Sequence, residues 1–112
     1  MKLTFLYAPA PNLAAGAAFY RNTLGLEEAW RDGEVTVAFW VPDRSAQIMV
    51  STTDQPAGPM YLVDDLAQWT AAHRDLPVIA PRADIPNGAV TGFADPSGNV
   101  FYVFDQRDRT DR

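Results

Sequence analysis

The chain contains no cysteine. Disulfides, zinc–thiolate sites and thiol nucleophiles are therefore excluded. It has a single histidine, His73, and one imidazole without neighbouring ligands makes a weak metal site. No apolar run approaches the ~20 residues needed to cross a bilayer, so no membrane partner is expected. The opening residues Met1–Tyr7 are too short for a signal peptide and lack a small-residue cleavage site, which makes a cytoplasmic location the default expectation. Basic residues are outnumbered, nine Lys and Arg against fourteen Asp and Glu, for a net charge of −5. A nucleic-acid partner is not expected, because a phosphate backbone needs a basic face. The acidic balance suits a cationic ligand and serves simple solubility equally well. Glycine-rich phosphate loops are missing. Ser45, Ser51 and Ser97 lack the flanking glycines of a nucleophile elbow.

What is present is a modest globular core. The chain has 112 residues, of which 47% are hydrophobic, and one domain is the natural expectation. Met1–Tyr7 reads as a strand closed by Ala8-Pro9-Ala10-Pro11. Asn12 is a good N-cap for a helix over Leu13–Leu24, with Leu13, Ala17, Tyr20 and Leu24 on one stripe. Gly16 weakens that helix by ~1 kcal/mol relative to alanine. Strands are expected over Glu27–Arg31, Val35–Val41 and Gln47–Thr52. After the linker Thr53–Gly58 the pattern restarts. Pro59–Val63 is a strand, Asp64 or Asp65 caps a helix to about Asp75, and strands follow at Val78–Arg82, Ala89–Ala94 and Val100–Phe104. Asp84–Gly88 reads as a loop. The last two strands flank Asp95-Pro96-Ser97-Gly98-Asn99, a tight turn.

A shift of 53 residues exposes an internal repeat. Asn12 falls on Asp65, Leu13 on Leu66, Arg21 on Arg74 and Trp40 on Phe93, while Ile48-Met49-Val50 falls on Phe101-Tyr102-Val103. Both copies read strand, helix, three strands. Three motifs accompany them in order: Phe19-Tyr20 with Leu24-Gly25-Leu26, then Val63-Asp64-Asp65-Leu66, then the turn and strand from Asp95 to Phe104. In this arrangement the chain resembles the vicinal oxygen chelate superfamily, which includes glyoxalase I, the extradiol dioxygenases and the bleomycin resistance proteins. The resemblance implies an α+β fold, two tandem βαβββ modules forming a curved mixed sheet with a concave cleft and the helices on the outer face. It covers residues 1–106 as one domain, with repeat halves at about 1–53 and 58–106. Residues 107–112 are expected to be a disordered polar tail.

In metal-dependent members the resemblance places ligands at positions corresponding to Phe5, Met49, Gly58 and Tyr102. None is a histidine or carboxylate, so no metal and no other cofactor is expected. A phenol such as Tyr102 is poorly poised as a general acid near neutral pH, and no catalytic residue is assigned. If Tyr102 faces the cleft, as the family pattern implies, strand alternation puts Phe5, Tyr7, Gln47, Met49, Met60, Tyr102 and Phe104 there too. Repeat equivalence adds Trp40 and Phe93. These nine are the candidate ligand-binding residues, a groove of rings and methionines that suits planar or cationic ligands. Packing against one another or a second subunit is the structural alternative. The pattern is similar to the metal-free, acidic bleomycin resistance proteins. The resemblance implies a homodimer that sequesters a small-molecule natural product, such as a peptide or glycopeptide antibiotic, at the subunit interface. An exchanged N-terminal arm hinged at Pro9 and Pro11 belongs to the same expectation. The alternatives are a glyoxalase-like lyase or isomerase, or a dioxygenase, of the same fold with an unrecognised metal or base, and a module that binds a protein partner.

Overall fold

Asn12 and Asp65 open the two helices in the same way. In the computed structural model, which describes residues 1–107, both caps have extended backbone. The Asn12 side chain accepts from the Ala15 N–H and Asp65 from the Gln68 N–H, each at 3.0 Å. Each cap satisfies a donor that the first helical turn leaves open. Helix α1 (Leu13–Ala18) is shorter than expected and runs into a π-helical turn over Phe19–Thr23, where the Leu24 N–H reaches the Phe19 carbonyl at 3.1 Å. Gly16 is there for space. A Cβ on it would lie 2.9 Å from the Ala10 Cβ and 3.1 Å from a Val50 methyl, so the helix approaches the sheet across a missing side chain. Helix α2 covers Leu66–Ala72.

The chain divides into two units, Thr4–Gly58, and Met1–Leu3 with Pro59 onward. The strands of the first are β1 (Lys2–Pro9, which belongs to this unit from Thr4 on), β2 (Glu28–Asp32), β3 (Thr36–Trp40) and β4 (Gln47–Ser51), ordered β2-β3-β4-β1. β1 runs parallel to β4, and the other neighbours are antiparallel. The second contains β5 (Gly58–Leu62), β6 (Val78–Ile85), β7 (Gly88–Ala94) and β8 (Val100–Gln106), ordered β5-β8-β7-β6 with only β5 parallel to its neighbour β8. Each unit is thus a βαβββ module with a mixed sheet.

Several expected ends move outward. β1 continues through Ala8 and Pro9, which pair with Val50 and Ser51. β6 runs on to Ile85, and the expected Asp84–Gly88 loop contracts to a turn at Pro86 and Asn87. Its Pro81 is tolerated because β6 is the edge of its sheet. At the far end the Arg107 N–H donates to the Asn87 carbonyl at 2.9 Å, so pairing passes the expected start of the tail. Residues 108–112 lie outside the described residues. Among the described residues no helix is long and apolar enough to cross a membrane.

One face of each sheet packs on its own helix. In the first unit Ala17 meets Val37, Phe39 and Val50, with Leu13, Tyr20 and Ile48 around them. In the second, Leu66 meets Ala89, Phe93 and Val103, with Trp69, Leu76 and Phe101 around them. Phe39 stacks on Tyr20 at 6.0 Å, and Phe93 stacks on Phe101 at 5.7 Å and tilts against Trp69 at 5.4 Å. Phe39 and Phe93 are both fully buried and hold the same place in their modules.

That equivalence corrects the repeat. The 53-residue offset holds for the caps, for Tyr7 and Met60, and for Met49 and Tyr102. It becomes 54 at β3 and β7. The reason lies in the register: Trp40 pairs with Gln47, whereas Ala94 pairs with Val100, so the β3–β4 connection is one residue longer than the β7–β8 connection. A one-residue slip moves every side chain to the other face. Trp40 therefore corresponds to Ala94, and Phe93 leaves the candidate groove for the helix-side core.

The Asp95 turn forms as its residues dictate. The Asp95 carboxylate accepts from the Ser97 and Asn99 backbone N–H groups, both at 2.9 Å, and from the Asn99 amide at 3.0 Å. These bonds, the Asn99 side chain first, hold Asp95 below the ordinary carboxylate range. A depressed folded-state value contributes stability that is present above the unfolded value and is lost as pH falls through the folded one. The Asp95→Asn variant should therefore show a flatter fall in melting temperature than wild type as pH drops below the ordinary carboxylate range. Identical slopes would remove Asp95 from the acid response.

Candidate functional site

The sheet faces opposite the helices carry the remaining candidates. In the second unit Met60 pairs with Tyr102, Leu62 with Phe104, and Gly92 with Tyr102. Met60, Tyr102 and Phe104 are buried, at 8%, 5% and 1% exposure, and so form packed structure rather than an open groove. Gly92 makes the room for this. A Cβ there would stand 2.9 Å from the Tyr102 ring and 2.9 Å from the Ala80 Cβ. Gly92→Ala should cost about 1–3 kcal/mol through overpacking. Denaturant unfolding checks this, and an unchanged midpoint would mean that both the Tyr102 ring and the β6 backbone at Ala80 give way freely.

The first unit is different. Tyr7 is buried, and its hydroxyl is committed to the carbonyl and hydroxyl of Thr53. Phe5, Trp40, Gln47 and Met49 remain half-buried on the face that α1 leaves uncovered. Register places Phe5 beside Gln47, Tyr7 beside Met49, and Trp40 beside Gln47. A residue not anticipated from the sequence completes the set. Trp30 on β2 pairs with the small, fully buried Ala38 on β3. Although β3 and β4 separate β2 from β1, its indole meets Phe5 edge-on at 6.1 Å, and its Nε1–H donates to the Gln47 side-chain oxygen at 2.7 Å. Trp30 is still 37% exposed. In sequence it shares strand parity with Glu28 and Asp32 and so reads as an isolated ring on a polar surface face. An irregularity in register between Glu28 and Trp30 accompanies its position on this face.

Charge lies along one rim. The Arg44 guanidinium sits 5.3 Å from the Trp40 ring centre, and its Nη2 pairs with the Glu27 carboxylate at 2.7 Å. On the helix side of β2, where Glu28 pairs with Phe39 and the Arg21 guanidinium lies 5.6 Å from the Phe39 ring centre, Arg21 donates to Glu28 at 2.9 Å. That bond, helped by Arg31, holds the Glu28 carboxyl below its usual range. The histidine stands elsewhere: His73 stacks on Trp69 at 4.0 Å, and its Nδ1 lies 2.7 Å from the Trp69 carbonyl.

The implied metal places do not fit a divalent ion. Of the four, only Met49, with a thioether, and Tyr102, with a phenol, carry a donor atom, and Tyr7 and Met60 stand level with them in register. Phe5 and Gly58 offer no donor side chain. Thioethers are poor partners for hard or borderline divalent ions. Among the described residues no group of three or more His, Asp or Glu side chains is placed to hold an ion. What the arrangement offers instead is two indoles, a phenyl ring, a thioether and one amide on a single sheet face.

Comparison with known proteins agrees with this fold. The family model described as Glyoxalase/Bleomycin resistance protein/Dioxygenase superfamily matches residues 3–103. No curated protein matches the chain by sequence. A Legionella pneumophila structure described as an NAD-dependent benzaldehyde dehydrogenase superposes with a TM-score of 0.72 at 14% identity, covering 92% of this chain and 98% of its own. A superfamily member from Vibrio splendidus 12B01 gives 0.65 at 13%, covering 92% and 97%. A methylmalonyl-CoA epimerase gives 0.63 at 13%, covering 96% and 97%. At such identities the likeness is one of fold.

Proposed function

The chain belongs to the Glyoxalase/Bleomycin resistance protein/Dioxygenase superfamily, and from that premise we propose that it is a binding member that works without a metal. Its ligand is a mostly planar aromatic or cationic natural product, held stoichiometrically on the uncovered face of the first unit. The observation that carries this reading is the half-open set of Phe5, Trp30 and Trp40 around Gln47 and Met49, with Trp30 and Gln47 already hydrogen-bonded. Stacking on aromatic rings tolerates many planar ligands, and methionine adapts to their edges. The phenol and thioether side chains at the implied ligand places support metal independence. Sequestration of an antibiotic would be the biological consequence.

A homodimer is part of the proposal. Trp30 on the edge strand β2, and Val78 and Ile79 on the edge strand β6, are exposed apolar side chains. Exposed apolar surface along open strand edges favours association. Sedimentation should show a dimer at micromolar concentration. A stable monomer that still binds ligand would remove this part.

Metal analysis after dialysis, combined with a methylglyoxal–glutathione turnover assay, tests the reading as a whole. The expected result is no stoichiometric zinc, nickel, iron or manganese, and no turnover on adding those ions. Tightly held metal with turnover would instead favour a lyase or isomerase of the same fold.

A further inference from the structure

The β3–β4 connection is where the first module departs from the second, being one residue longer. Arg44 lies in it with φ at +60, one of only two non-glycine residues with positive φ among the described residues. That conformation is unfavourable for a long side chain, and the backbone of the turn holds it, the Arg44 N–H donating to the Val41 carbonyl at 2.9 Å. The side chain makes two contacts: the guanidinium lies over Trp40 at 5.3 Å, and it pairs with Glu27 at 2.7 Å. Glu27 is itself fixed beside Trp40, because its carbonyl accepts the Trp40 N–H at 2.9 Å. The side chains of Arg44 and Glu27 are 56% and 65% exposed, so this closure is weak and reversible.

A guanidinium is a flat cation. Resting on an indole and against a carboxylate, it holds the position that a planar cationic ligand would take on this face. We propose that Arg44 is a built-in competitor that covers Trp40 until a planar cation displaces it, and that Glu27 then pairs with the charge of the ligand and so selects cations over neutral rings. This inference rests on the ligand-binding reading above and adds two specificity-determining residues to it. It involves no covalent step. Arg44 swings into solvent, and Glu27 exchanges one cation for another.

Two probes with the same ring system test it, N-methylacridinium and acridine, at a mildly alkaline pH where acridine is neutral. Tryptophan quenching gives the affinities. Arg44→Gly suits the positive φ and keeps the turn, and thermal melting confirms that each variant folds. Removing the competitor should tighten both probes by about fivefold, the scale of one exposed cation–π contact plus one exposed ion pair. Glu27→Gln should lower the ratio of cation to neutral affinity by about threefold, even though it also frees Arg44. Unchanged or weaker binding by Arg44→Gly would overturn the competitor role, and an unchanged ratio in Glu27→Gln would overturn the selectivity role. If the probes bind wild type and are lost in Trp40→Ala while those two variants behave as wild type, only this inference fails. If neither probe binds any variant, the binding reading fails and takes this inference with it.

Discussion

Phe93→Ala should destabilise the protein by about 3–5 kcal/mol, the range for removing a large buried ring. Phe93 is fully buried, packs on Trp69 of α2 and stacks on Phe101 of β8. It thus joins the helix of the second unit to its sheet from a central strand. A domain of this size has only about 5–15 kcal/mol in total, so the variant should melt roughly 15–30 °C lower. Ligand binding by whatever protein remains folded should be unaffected, because the side chain lies on the helix face. A small loss of stability accompanied by a large loss of binding would return Phe93 to the groove and refute the register described here.

Trp40→Ala should behave in the opposite way. The ring is half-buried on the uncovered face and is covered by Arg44 rather than by the core. Its removal should cost about 1–3 kcal/mol of binding to a planar aromatic probe, the scale of stacking on aromatic platforms, or roughly a ten- to hundredfold loss in affinity. The melting temperature should change little, since Phe39, Val37 and Val50 form the core behind that sheet. If the melting temperature drops and the affinity does not, Trp40 is packing and not a ligand platform.

The contrast between these residues shows what the sequence could and could not reveal. Asn12, and the Asp64-Asp65 pair of which Asp65 is the cap, announced their helices because a cap has a local signature, and the Asp95 turn is local too. Strand identities followed from alternation. The face of Phe93 did not, because it depends on the length of a connection relative to its counterpart in the other module. One added residue between Trp40 and Gln47 reverses parity while leaving the strand pattern intact. Trp30 was hidden for a related reason. Its partners Phe5 and Gln47 lie far away in sequence, and a register irregularity in β2 accompanies its position on this face. Nor could alternation tell an open face from a closed one. Met60, Tyr102 and Phe104 lie opposite the helix as expected, yet they are buried. The π-helical turn at Phe19–Thr23 carried no compositional signal at all.

The most direct test of the central claim is tryptophan quenching by N-methylacridinium in chelator-treated protein, repeated with Trp30→Ala and Trp40→Ala. Saturable quenching without any metal, weakened by both substitutions, is the predicted result. Quenching that appears only when a divalent ion is restored, or that both variants retain in full, would contradict a metal-independent aromatic binding face.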